Sequence, residues 1–226
     1  MIIARIICLI CGYLFGLIQT AYFYGRINGI DIREHGSGNA GTTNALRVLG
    51  KKAGLIVFIG DFSKALIATL IARIIFMNIF PENVYLFIAY TGLGAVLGHN
   101  FPCYLKFKGG KGIAATAGVV IGFFDPVIIL SCLVVFSVIV AITRYVSLGS
   151  ILMVTCFATE YSIFSFIGKY PFDLTNQISK NAMIESVIIV IFMAGMAIFK
   201  HKANIVRLIH HEENKLGAKK KETQEG

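Results

Sequence analysis

Seven apolar runs, almost free of charge, divide the 226-residue chain: roughly 2 to 23, 54 to 78, 83 to 97, 113 to 123, 126 to 142, 148 to 167 and 183 to 200. In hydrocarbon each backbone N–H and C=O must find its partner inside the protein, so runs of this kind can only be membrane helices. A helix needs about 20 residues to cross a core about 30 Å thick. Seven such segments consume the chain and leave no room for a soluble domain. Composition agrees, with 15% charged residues where soluble domains carry about 25%. The chain therefore reads as an all-α integral membrane protein of about seven transmembrane helices, some short or broken. It forms one polytopic domain over residues 1–226, with 208–226 a mostly solvated tail. The first run is too long for the core of a signal peptide and lacks an A-x-A cleavage pattern, so it is expected to be an uncleaved span. The 113 to 123 run rises only about 17 Å as a helix and cannot cross straight. Gly122, Asp125 and Pro126 break it from the next run, and the pair reads as a partial span or a re-entrant hairpin.

Orientation follows from the basic residues. Alternating crossings place 24–53, 98–112, 143–147 and the tail from 200 on one side, which holds 16 of the 21 Lys and Arg. The other side has only Arg5, Lys169 and Lys180 on or near it. Basic loops stay cytoplasmic, so the N-terminus is expected outside and the C-terminus inside, in a bacterial cytoplasmic (inner) membrane. Lys64 and Arg73 fall within the second span; pairing of Lys64 with Asp61 and outward snorkelling of Arg73 are the plain expectations. Five cysteines, Cys8, Cys11, Cys103, Cys132 and Cys156, lie in or beside apolar runs, which excludes a secreted disulfide framework. Cys8 and Cys11 spell CxxC only by letter and read as small helix-packing residues.

Every polar, glycine-dense cluster falls on the basic side. Gly36-Ser37-Gly38-Asn39-Ala40-Gly41-Thr42-Thr43-Asn44, followed by Arg47, offers turning amides, short polar side chains and a guanidinium fork to an anion. Its GxGxxG lettering follows a membrane helix rather than a strand, so it is no dinucleotide fingerprint. Gly98-His99-Asn100-Phe101-Pro102 leads to Lys106, Lys108, Gly109, Gly110, Lys111 and Gly112, a phosphate cradle at a helix N-terminus by its physics. It is not a Walker A loop, which needs Gly at 105 and Ser or Thr at 112, where Leu105 and Gly112 stand. His99 with Cys103 lacks the further ligands of a zinc site. A third cluster, Arg144 to Ser150, opens a helix for which Ser147 is a plausible N-cap. In the fourth, from Lys200 to Glu213, His201 and Asn204 share one helix face, as do Asn204 and Arg207. Lys219, Lys220 and Lys221 belong to the solvated tail. Two function classes survive: a lipid-synthesising transferase, and a transporter for an organic phosphate or other anion. The clusters lie at one surface with no internal repeat, which favours an interfacial enzyme over a carrier built around the midplane.

The strings GSGNAGTTNALRVLG at 36–50, GHNFPCYLKFKGGKG at 98–112, RYVSLGSI at 144–151 and HKANIVRL from 201 closely resemble the bacterial acyl-phosphate-dependent glycerol-3-phosphate acyltransferases, in order and spacing over nearly the whole chain. One departure is visible: His211 and Glu212 stand before Glu213 where the family's tail usually reads Gly-Thr. The resemblance implies transfer of a fatty acyl group from acyl phosphate to the 1-hydroxyl of glycerol 3-phosphate, giving lysophosphatidic acid and phosphate, the first acylation of phospholipid synthesis. It implies Ser37, Arg47, Lys111, His201 and Asn204 as catalytic residues. Substrate and phosphate contacts fall to Gly36, Gly38, Asn39, Thr43, Asn44, His99, Asn100, Lys108, Gly109, Gly110, Gly112, Ser147 and Ser150, with Glu213 structural. No metal, cofactor, nucleic acid or obligate protein partner is implied; the partners are the two substrates and membrane lipid. Direct attack, with a substrate phosphate as base, is expected ahead of His201 as base or Ser37 as nucleophile. None of the five histidines heads the His-x-x-x-x-Asp pattern of acyltransferases that use thioesters.

Overall fold

The computed structural model describes residues 1–168 and 178–217, and all regular structure among them is helical. Among the described residues nine α-helices follow in order, with three short 3-10 turns between them: α1 (Ile2–Gly16), α2 (Thr20–Ile27), α3 (Thr42–Ile79), α4 (Val84–Asn100), α5 (Ile113–Gly122), α6 (Pro126–Thr143), α7 (Val146–Ile167), α8 (Lys180–Lys200) and α9 (Lys202–Ile209). Six stretches are long and apolar enough to cross a membrane, α1 and α2 counting as one. The seventh apolar run is α5, whose 10 residues rise about 15 Å. Lys169, expected on the outer side, and Lys219 to Lys221 lie outside the described residues.

Apolar area is as comfortable in lipid as in a core, so close backbone approach and polar contacts must hold such helices together. The central α4 illustrates this. It packs against α1, α3, α5 and α8, and its meeting with α1 is so close that a Cβ on Gly12 would lie 2.1 Å from the Thr91 carbonyl. Cys8 is buried at this seam, whereas Cys11, expected to pack as well, faces outward. The first span is broken between α1 and α2. At the break the buried Gln19 amide donates to the carbonyls of Gly16, Gly98 and His99, each at 3.1 Å, satisfying backbone that two helix ends leave open.

The second span begins earlier than hydropathy suggests. Residues 42–49, expected within a loop, form a helical segment joined to the rest of α3 through a kink at Gly50 (φ 86°, ψ −176°). Beyond it, the expected ion pair is present and reaches further: Lys64 Nζ donates to Asp61 Oδ1 at 2.9 Å and to the Ile18 carbonyl at 2.6 Å, and meets His99 Nδ1 at 3.0 Å. Arg73 does not snorkel outward. It is buried and donates to the Phe123 carbonyl at 3.1 Å, because the break after α5 leaves that carbonyl unpaired and a guanidinium can satisfy it inside the protein. The break itself is made by Phe124 at φ 60° and by Asp125, which caps α6 through the N–H groups of Val127 and Ile128.

Candidate active site

The four polar clusters converge at one end of the bundle. The first is shaped by Asn44, buried on α3, whose amide nitrogen donates to the carbonyls of Ile32 and His35 while its oxygen accepts from the Ser37 N–H at 2.8 Å. Asn44 thus holds the 32–37 loop, and Ser37, Thr43 and Arg47 are left exposed around it. The second cluster is drawn against the first. A Cβ on Gly110 would sit 2.1 Å from His99 Nε2 and 2.8 Å from the Ala40 carbonyl, so only glycine lets the two loops touch there. The Gly109 and Gly110 N–H groups are spent on the Asn100 and His99 carbonyls, at 3.2 and 3.1 Å. Their expected role as phosphate-cradling amides gives way to a role in loop closure, because the end of α4 needs those donors.

Lys111 crosses to the fourth cluster. Its Nζ donates to Asn204 Oδ1; Asn204 Nδ2 donates to Glu213 Oε1, and Arg207 Nε to Glu213 Oε2, both at 2.9 Å. Lys200 reaches the Asn100 carbonyl at 3.4 Å and lies over the Phe101 ring. Burial, together with the charges of Arg207, Arg47 and Lys200 and against the pull of Glu213, lowers the Lys111 ammonium to about 8. Three like charges thus bear on Lys111, and the Glu213 carboxylate that opposes them is itself paired with Arg207. Such an excess in a half-buried place is costly until an anion arrives. His201, at the joint of α8 and α9, is lowered to about 4 by burial and is neutral at physiological pH. Its Nδ1 lies 2.7 Å from the Ala197 carbonyl, which can only accept, so Nδ1 carries the proton and Nε2 keeps its lone pair.

Other assignments move. His99 is buried in the Lys64–Asp61 network, 3.6 Å from Asp61, as a strut beneath the 109–112 loop. Asn100 is fully buried against Gly112, and neither of its amide atoms has a partner among the described residues. Lys108 is exposed and lines a cleft of about 360 Å³ with Tyr22, Arg33 and Tyr104. Ser147 does not cap α7. Tyr145 occupies that position, and the Ser147 hydroxyl is buried inside the first turn without a partner among the described residues. Ser150 donates back to the Val146 carbonyl. Both serines lie in the first turns of α7, a helix that also packs on α9. Lys200 carries no sequence signal of a site role, because a basic residue at a span's end is expected from membrane topology alone.

The sequence model of the family described as Glycerol-3-phosphate acyltransferase matches residues 6–211. The chain belongs to this acyltransferase family. A glycerol-3-phosphate acyltransferase from Clostridioides difficile is 40% identical over 224 residues, covering 97% of this chain and 98% of that one. One from Halalkalibacterium halodurans is 37% identical over 212 residues, covering 93% and 95%. Two crystal structures of PlsY (YgiH), an integral membrane glycerol 3-phosphate acyltransferase, are similar in fold. The glycerol 3-phosphate form matches with a TM-score of 0.76 at 34% identity, covering 94% of this chain and 96% of that one. The lysophosphatidic acid form matches with a TM-score of 0.74 at 33% identity, covering 94% and 95%. In this acyltransferase, then, the excess of positive charge lies where the polar loops meet, at the edge of an apolar helix bundle.

Proposed function

We propose that the chain transfers a fatty acyl group from acyl phosphate to the 1-hydroxyl of glycerol 3-phosphate, at the cytoplasmic face of a bacterial inner membrane. The observation that carries this reading is the contact chain from Lys111 through Asn204 and Glu213 to Arg207, with further positive charge from Arg47 and Lys200 bearing on Lys111. Two phosphorylated substrates repel each other, and a fixed positive site offsets that repulsion as they are brought together. An acyl phosphate is a mixed anhydride, so its phosphate is already a good leaving group. The acceptor's hydroxyl attacks the carbonyl carbon, the carbonyl–phosphate oxygen bond breaks, and inorganic phosphate departs. The hydroxyl proton passes to a substrate phosphate oxygen. A phosphate monoester, with a second pKa of about 6, is a stronger base than His201 at about 4, and a base is most useful when its pKa lies near the working pH. Ser37 as nucleophile is disfavoured, since no histidine hydrogen-bonds its hydroxyl among the described residues. In this reading Asn204 and His201 Nε2 orient the acceptor, Arg47 and Lys111 hold phosphate, and the acyl chain lies among the apolar helices.

The deciding experiment reconstitutes the purified protein in lipid with glycerol 3-phosphate and, separately, acyl phosphate, acyl-CoA and acylated carrier protein. Lysophosphatidic acid and phosphate are expected from acyl phosphate. Product from a thioester alone overturns the donor assignment.

A further inference from the structure

The seam between α6 and α7 carries donor chemistry that acyl transfer does not use. Ser131 and Cys132 are neighbours on α6; Cys156 and Glu160, four apart, share one face of α7. The two sulfur atoms and a Glu160 carboxylate oxygen all lie within 4.8 Å of one another. Cys156 Sγ donates to Ser131 Oγ at 3.9 Å, Ser131 Oγ donates to Glu160 Oε2, and Cys132 Sγ donates to the Met153 carbonyl at 3.8 Å. Glu160 is thus an acid well inside a membrane span, and it forms no ion pair among the described residues. Ionisable groups at such depth are expensive and tend to mark sites. All five cysteines are free, so both thiols remain available.

We propose that Cys132, Cys156 and Glu160 form a site for a thiophilic divalent cation, Zn²⁺ or Cd²⁺, inside the membrane between α6 and α7. Two sulfurs and one carboxylate oxygen are the donor set such ions choose over Mg²⁺ or Ca²⁺. With metal–sulfur bonds of about 2.3 Å, tetrahedral ligands stand about 3.7 Å apart, within reach of the present cluster by small side-chain rotations. Ser131 Oγ, hydrogen-bonded to both Glu160 and Cys156, is the further polar atom beside these donors. As each metal–sulfur bond forms, the thiol proton leaves to solvent, and the ion's two positive charges offset two of the three negative charges on the carboxylate and the new thiolates, leaving the centre with a net charge of −1. Ser131 also lines an apolar cavity of about 460 Å³ with Pro126, Val127, Leu130 and Val134, which brings open space to the donors from the lipid side. The α6 helix is the least buried span and packs chiefly on α7. An ion at this seam fastens the helix with the fewest other attachments.

The test is a Cd²⁺ titration of the purified full-length protein in detergent with a phosphine reductant, which keeps thiols reduced. It reads the thiolate-to-Cd²⁺ charge-transfer absorption and metal bound per chain after dialysis. One tightly bound ion with the sulfur band is expected. C132S/C156S should lose the band and bind at least about tenfold more weakly, and E160Q should keep the band with reduced affinity. A C8S/C11S/C103S variant should bind as the wild type does. Should the double variant fail to fold, Cys132→Ser and Cys156→Ser singly are each expected to halve the band. A band unchanged when Cys132 or Cys156 is removed, or lost in C8S/C11S/C103S, or absent from the wild type, overturns the proposal.

Discussion

At the scale of single residues, Lys111 and His201 show how burial sets chemistry. Lys111, lowered to about 8 by burial and neighbouring cations, is charged below that value, so kcat/KM for acyl transfer is expected to fall as pH rises through about 8. The fold responds in the opposite direction. Between about 8 and the ordinary 10.5 the unfolded chain binds more protons, and stability rises with pH. Lys111→Arg should shift the alkaline activity limb upward, while Lys111→Ala should cost at least about 2 kcal/mol of transition-state stabilisation, roughly thirtyfold in kcat/KM. A pH–rate series on the folded variants checks both. His201, at about 4 against an ordinary 6.5, contributes stability that is present above 6.5 and lost as pH falls toward 4. His201→Gln should flatten the acid limb of a Tm-against-pH curve over that window. Residue identity alone carried the cation excess, but not the lowered pKa values, which arise from neighbours far apart in the chain. His211 is a different lesson. It departs from the family's usual glycine, and its backbone keeps the left-handed conformation at φ 58°. Histidine is among the non-glycine residues that tolerate this region, so the turn that returns Glu213 to Asn204 survives the change.

At the scale of elements, the breaks matter more than the spans. Gly50 joins the short segment bearing Thr43 and Arg47 to the long membrane part of α3. Its φ and ψ fall where only glycine rests easily, so Gly50→Ala is expected to cost about 1–3 kcal/mol. That should be visible as a lowered Tm in detergent, with acyl transfer reduced because the kink aims Arg47. Hydropathy found the apolar part of α3 but not its polar first turns, since a seven- or eight-residue helix leaves too short a period to separate from a loop. The split between α1 and α2 was hidden for the opposite reason: Leu17 and Ile18 are as apolar as a continuous span requires, and the break depends on Gln19 meeting carbonyls nearly 80 residues away. By contrast, the weakness of α5 was legible, because length alone forbids a straight crossing.

At the scale of the whole molecule, the proposed topology makes one directional prediction. In a cysteine-free variant, Ser37→Cys, Lys106→Cys and Asn214→Cys should react with a membrane-impermeant maleimide only in inverted vesicles, and Glu82→Cys only in intact cells. Labelling of positions 37 and 106 from opposite sides would contradict the contact of the Ala40 and Gly110 segments. The number of apolar runs, the side bearing positive charge and the gathering of glycine and lysine in loops were determined by sequence alone. Those features answer to the bilayer, a solvent that acts on each segment independently. Which groups face the ligand was decided only by tertiary structure. Lys108 lines a cleft with Tyr22 and Arg33, His99 becomes a buried strut, the Gly109 and Gly110 amides are consumed by α4, and Lys200 adds its charge to those bearing on Lys111. The physical reason is that a hydrogen bond or a charge interaction belongs to a pair, and the second member of each pair here lies in another element.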